Sequence, residues 1–214
     1  MKKDSYLKEE DSIILDKVIQ EIKKLQGVSC IMQIGSSTYS KDYRDIDIII
    51  FFDKALPPPQ ISELNRKYSK YNFYIEGNSI NAQQIDTGVK IFIKFLSHLK
   101  TKKILYGKYP YKNIKVSINK IDVAYYIRYH YNFALFQGIY ENILSTSLNA
   151  LLTYKNIFPE NKQETLHLFN KTFPDLAKFL PKNAEYYLRN TDESNFRNLY
   201  NFFEESIKFL LNKK

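Results

Sequence analysis

Cysteine is almost absent from this chain: Cys30 is the only one in 214 residues. That excludes an intrachain disulfide and any zinc site built on cysteine, and it suits a reducing, cytoplasmic compartment. Long apolar runs are missing too. None approaches the ~18 residues that a membrane-spanning helix needs, so no membrane partner is expected. The opening Met1-Lys2-Lys3-Asp4 leads into a charged helical pattern, which argues against a secretory leader. Acidic residues are lacking in one region above all. Between Thr87 and Ile121 there are nine lysines and no Asp or Glu, in a chain whose net charge is +9. Residues 1–120 hold 21 Lys and Arg against 13 acids, whereas residues 121–214 hold 11 against 10. The lysines from Lys90 to Lys120 suit RNA or another polyanion, and a solvated lysine-rich surface accounts for them equally well.

What remains is an ordinary globular composition, 44% hydrophobic and 26% charged, which excludes wholesale disorder. Leu7, Ile14, Val18, Ile22 and Leu25 form one stripe at helical spacing, and Gly27 stops it. Val28–Ile34 then reads as a short buried strand that ends at the Gly35-Ser36-Ser37 turn. The nearly continuous apolar run Ile46–Phe52 reads as a strand buried on both faces. Pro57-Pro58-Pro59 breaks the chain ahead of a helix over Gln60–Tyr71. Strands are expected over Asn72–Glu76 and Val89–Leu96, and a helix over Ser97–Leu105. After Lys120 helical stripes dominate, punctuated by Pro159, Pro174 and Pro181. The expected architecture is therefore α+β over residues 1–120, followed by an all-α bundle over 121–214.

One stretch carries chemistry: Ile34-Gly35-Ser36-Ser37, then Asp45-Ile46-Asp47. Alternate residues of a strand share a face, so Asp45 and Asp47 point the same way across Ile46. Paired carboxylates repel unless a cation lies between them, and oxygen-only ligation suits Mg²⁺, which takes its other ligands from waters and substrate phosphates. A glycine turn after the preceding strand lets backbone N–H groups approach phosphate oxygens closely. These are the parts of a phosphoryl- or nucleotidyl-transfer site.

The same residues resemble the signature of the DNA polymerase β-type nucleotidyltransferase superfamily: a strand ending in Gly-Ser, eight intervening residues, then Asp-Ile-Asp in a second strand. The resemblance is strong over residues 28–53 and extends in outline over 1–115. It implies a nucleotidyltransferase-fold mixed sheet with flanking helices. It also implies an NTP, ATP foremost, held on Gly35, Ser36 and Ser37, with Mg²⁺ on Asp45 and Asp47. Members usually add a third carboxylate on a later strand. On the strand expected over Val89–Leu96 that position is Phe92, which can neither bind a metal nor accept a proton. Glu76 and Asp86 are the acids near enough in sequence to substitute.

The second half, from Gln137 through Leu148-Asn149-Ala150-Leu151-Leu152 to His167-Leu168-Phe169, resembles a HEPN helical domain. Arg128, Arg189 and Arg197 have no histidine four to six residues further on, as ribonuclease-active members do, which argues against an RNase. His98, His130 and His167 are too scattered for a metal site. Tyr125, Tyr126, Tyr129, Tyr131 and Phe133 suit a core or interface better than a base-stacking surface. Three functions follow. The first is Mg²⁺-dependent transfer of a nucleoside monophosphate to a hydroxyl of RNA, protein or a small molecule. The second is a catalytically degenerate nucleotide- or RNA-binding regulator of the toxin–antitoxin kind. The third is a helical adaptor.

Overall fold

The computed structural model describes residues 6–54, 56–79, 87–111, 116–140, 142–188 and 191–212. The chain divides into two compact units, residues 1–85 with 100–114, and residues 86–99 with 115–214. Whereas the sequence suggests one crossing near residue 120, the chain passes between the units at three points.

The first unit opens with α1 (Glu9–Ile22), whose acidic first turn, Glu9, Glu10 and Asp11, opposes the positive end of the helix dipole. Leu15, Val18, Ile19 and Ile22 recur at helical spacing and are all buried. β1 (Val28–Ile34) follows, then a 3₁₀ turn at Ser36–Thr38, β2 (Ile46–Phe52), α2 (Gln60–Ser69) and β3 (Phe73–Ser79). The sheet order is β3-β2-β1-β4, where β4 is Lys103–Gly107. β1 runs antiparallel to β2 and β4, while β3 lies parallel to β2, so the sheet is mixed.

Register assigns the faces. Ile31, Ile48, Ile50, Phe52, Phe73 and Ile75 pack with Val18, Ile19 and Ile22 of α1 in one core. Their sequence neighbours Asp47, Ile49, Phe51, Tyr74 and Glu76 therefore lie on the opposite face. There Phe51 meets the rings of Tyr109 and Tyr111 edge-on, at 5.8 and 5.5 Å, so that face is covered at the far end of β2.

The second unit holds α3 (Thr87–His98), α4 (Lys120–Gln137), α5 (Ile143–Tyr154), α6 (Lys162–Thr172), three short helices α7 (Pro174–Ala177), α8 (Ala184–Tyr187) and α9 (Glu193–Arg197), and α10 (Tyr200–Leu211). Asn119 and Asp122 form a reciprocal capping box at the start of α4, and Gly138 ends it in the left-handed region. Val123, Ile127, Leu144, Leu148, Leu151, Phe169, Phe202 and Phe203 build the core. Tyr131 faces inward onto Phe196 and Phe203. By contrast, Tyr125, Tyr129 and Phe133 form an outward ladder of near-parallel rings. The aromatic cluster is thus split between core and surface. His98 stacks on Phe158 at 3.9 Å, as expected of a packing residue.

Two expectations are corrected. Residues 89–96 are not a strand but the body of α3, and 97–105 is not a helix: α3 ends at His98 and β4 begins at Lys103. An apolar run of strand length cannot be told from a buried helix by periodicity, and this one extends over a 12-residue element with Lys90 and Lys94 one turn apart. Ile91 joins the helical core, and Phe92 is a partly buried helix residue. The alignment that set Phe92 in the place of a third acid therefore lapses. Among the described residues no helix is long and apolar enough to cross a membrane.

Candidate nucleotide-binding site

The site lies at one end of the β1–β2 pair, and its geometry starts with Gly35. The backbone there turns at φ +78°, ψ −171°, a region that essentially only glycine occupies. A Cβ at this position would come within 2.7 Å of Asp47 Oδ2. The turn and the carboxylate are thus brought together by the missing side chain, in keeping with the register, which pairs Ile34 with Asp47. Within the turn, the N–H groups of Thr38, Tyr39 and Ser40 donate to Gly35 and Ser36 carbonyls. Those of Ser36 and Ser37 take no part in these bonds, as is usual in the first residues of a helical turn.

Side chains beneath the turn hold it in shape. Gln33 is fully buried on the helix-covered face, and its Nε2 donates to Ser37 Oγ at 3.0 Å. Ser37 is itself buried, so its hydroxyl serves the turn's scaffold. Thr38 Oγ1 donates to the Gly35 carbonyl at 2.7 Å. Gln33 belongs to no motif, yet one amide in the otherwise apolar run Cys30-Ile31-Met32-Gln33-Ile34 is the sequence signal of a buried polar anchor.

Asp45 sits just before β2, and Asp47 is its second residue and the only one of its seven that is not fully buried. Arg44, well exposed, donates to Asp45 Oδ2 from Nε at 3.1 Å and from Nη2 at 3.0 Å. An exposed pair of this kind is worth about 1 kcal/mol or less, so the carboxylate is readily released to another cation. Across β2 from Ile34, Asp47 pairs with Tyr74 of β3, and Ile49 pairs with Glu76. Glu76 therefore shares the face of Asp47, one diagonal step away, and accepts from Asn78 Nδ2 at 3.1 Å. Asp86 lies outside the described residues. Among the described residues no group of three or more His, Cys, Asp or Glu is close enough to hold a metal ion.

No protein-family model matches the sequence, and no curated protein matches it significantly. Among solved structures, the chain is similar to the spectinomycin adenyltransferase AAD(9) from Enterococcus faecialis, crystallised with ATP and spectinomycin. The two share 15% identity and a TM-score of 0.53, over 92% of this chain and 99% of that one. A mutant of the MntA–HpeT toxin–antitoxin is also similar, with 17% identity over 61% of this chain and 88% of that one, at a TM-score of 0.32. Across nearly the whole of both chains the likeness to the adenyltransferase is one of fold, and this chain carries the nucleotidyltransferase fold, a mixed four-stranded sheet with flanking helices and a helical C-terminal region.

Proposed function

We propose that the protein transfers a nucleoside monophosphate, AMP foremost, from an NTP to a hydroxyl acceptor. The observation that carries this reading is the close approach of Gly35 to Asp47, where a Cβ would stand 2.7 Å from Oδ2, which sets the glycine turn beside that carboxylate. The turn would receive the triphosphate on the N–H groups of Ser36 and Ser37. Asp45 and Asp47 are hard oxygen donors, the kind that Mg²⁺ takes when phosphates complete its shell. Bound there, the ion would neutralise charge on the α-phosphate and on the departing pyrophosphate. The acceptor oxygen would bond to the α-phosphorus as the bond from that phosphorus to the bridging oxygen breaks. The acceptor proton would pass to a carboxylate, for which Glu76 is the described residue on the right face.

The adenyltransferase with a similar fold was crystallised with ATP and spectinomycin, which makes ATP and a small hydroxylated molecule the first pair to try. RNA and protein acceptors remain within the proposal, and the basic stretch from Lys90 to Lys120 favours the first of these. We read the helical unit as HEPN-like, and the lone buried Cys30 as a sign of a reducing cytoplasm. A second reading, a nucleotide-binding regulator without turnover, draws on the lack of a third clustered acid among the described residues.

The test has two parts. MgATP should raise Tm more than Mg²⁺ or ATP alone, by up to about 2.7 kcal/mol of linkage at a hundredfold excess over Kd. The double substitution Asp45→Asn, Asp47→Asn should abolish that difference. Labelled AMP transfer to spectinomycin, an RNA 3′ end or protein then separates enzyme from regulator. A shift without transfer to any of them selects the regulator.

A further inference from the structure

We infer that the acceptor approaches over β3, with the ring of Tyr74 as its platform. This rests on the nucleotide-transfer reading of the same site.

The argument comes from the order of groups across the sheet. The phosphate turn follows β1, Asp47 is on β2, and Tyr74 and Glu76 are on β3, in that lateral sequence. In a displacement at phosphorus the entering and leaving oxygens lie roughly in line. A pyrophosphate seated on the β1 side therefore puts the entering hydroxyl on the β3 side. Tyr74 is the register partner of Asp47 and shares its face, at the strand spacing of about 4.8 Å. Tyr74 is 50% exposed, and among the described residues no hydrogen bond or ring contact engages its side chain. Phe73 and Ile75 on either side are buried in the helix-covered core, so the tyrosine adds nothing to that core. Among the described residues, no further strand pairs with the outer edge of β3.

An open aromatic face beside a carboxylate recognises a ring that bears a hydroxyl. The ring's apolar face lies on the tyrosine while its hydroxyl reaches the acid. A sugar ring supplies both, either in a free small molecule or as the terminal ribose of an RNA. Tyr106 is the natural control. It is comparably exposed on β4, at the opposite edge of the sheet, and Lys23 Nζ lies over its ring at 4.9 Å.

The chain contains no tryptophan, so Tyr74→Trp would carry the only indole. The variant is loaded with Mg²⁺ and α,β-methylene-ATP, then titrated separately with spectinomycin and with a short RNA bearing a free 3′-hydroxyl. A saturable change in emission with one probe, absent from Tyr106→Trp, supports the proposal and names the source of the ring. In transfer assays with that acceptor, Tyr74→Ala should raise the acceptor KM about tenfold and leave the nucleotide KM within about twofold, while Tyr74→Phe stays near wild type. Emission unmoved by both probes, in a variant whose Tm MgATP still raises, overturns the platform and leaves the nucleotide site standing. If MgATP does not raise Tm in wild type, the nucleotide reading fails and the platform falls with it.

Discussion

Gly35 is where one atom decides most. An added methyl would meet Asp47 Oδ2 at 2.7 Å and would force a side chain into a glycine-only backbone region. Gly35→Ala should therefore cost about 1–3 kcal/mol in denaturant unfolding, and should blunt the Tm response to MgATP beyond that loss. Gln33 acts from beneath. Its Nε2 holds Ser37, and its Oε1 is buried with no hydrogen-bond partner among the described residues. Gln33→Leu removes that orphan acceptor together with the donor, so we expect near-neutral stability and a weaker nucleotide response, read by the same two measurements. Cys30 is a different case: burial raises its thiol pKa to about 11 and leaves it no solvent exposure. At pH 8 a thiol reagent should leave the native protein unmodified and label it promptly in guanidinium. Prompt labelling of the folded chain would contradict this burial.

Helix ends and interhelical ties are the next scale. The Asn119–Asp122 box satisfies two backbone donors, one by each side chain, at 2.9 Å each. Asn119→Ala should cost about 1 kcal/mol, seen as a lower denaturation midpoint with an unchanged slope. In the first unit, Lys67 of α2 donates to Glu21 of α1 at 2.6 Å. The Lys67 hydrogen bond lowers the Glu21 pKa, and the same bond raises that of Lys67. For the glutamate the folded value lies below the unfolded one. Its contribution is complete above the ordinary carboxylate range and fades as pH falls through the lowered value. For the lysine the contribution persists until pH climbs through its raised value. Glu21→Gln should thus lower Tm slightly at neutral pH and hardly at all in strong acid. An equal deficit at both would mean the loss is one of packing.

Charge placement belongs to the whole molecule. Lys100, Lys102, Lys103 and Lys108 fall within the first unit and Lys90, Lys94 and Lys120 within the second, so the acid-free run in sequence is shared between two bodies. If polyanions bind, affinity should fall linearly with salt on logarithmic axes, through release of counterions. Reversing Lys102, Lys103 and Lys108 to glutamate should flatten that slope. A flat slope in wild type would mark a solvated surface.

Local physics made much of this legible in the sequence. The stripe of α1, the two apolar strands, the glycine turn and the acid pair all depend on residues close in the chain. That Gly35 and Asp47 meet at one strand end was decided by the β1–β2 register, which pairs Ile34 with Asp47. Burial on both faces was equally readable in Ile46–Phe52, because a central strand needs apolar residues at every position. The 89–96 run was not readable. Its residues satisfy a buried strand and a buried helix alike, and the choice fell to the surface available for packing, which Ile91 finds in the helical core. The same dependence hid the relation of Glu76 and Tyr74 to Asp47. Partners in a parallel pair are set by a connection through α2, and a shift of one residue in that register would have turned both side chains to the other face. Sequence supplied the acids and the turn, whereas tertiary pairing set Tyr74 opposite Asp47 and Glu76 opposite Ile49, on the face that Asp47 shares.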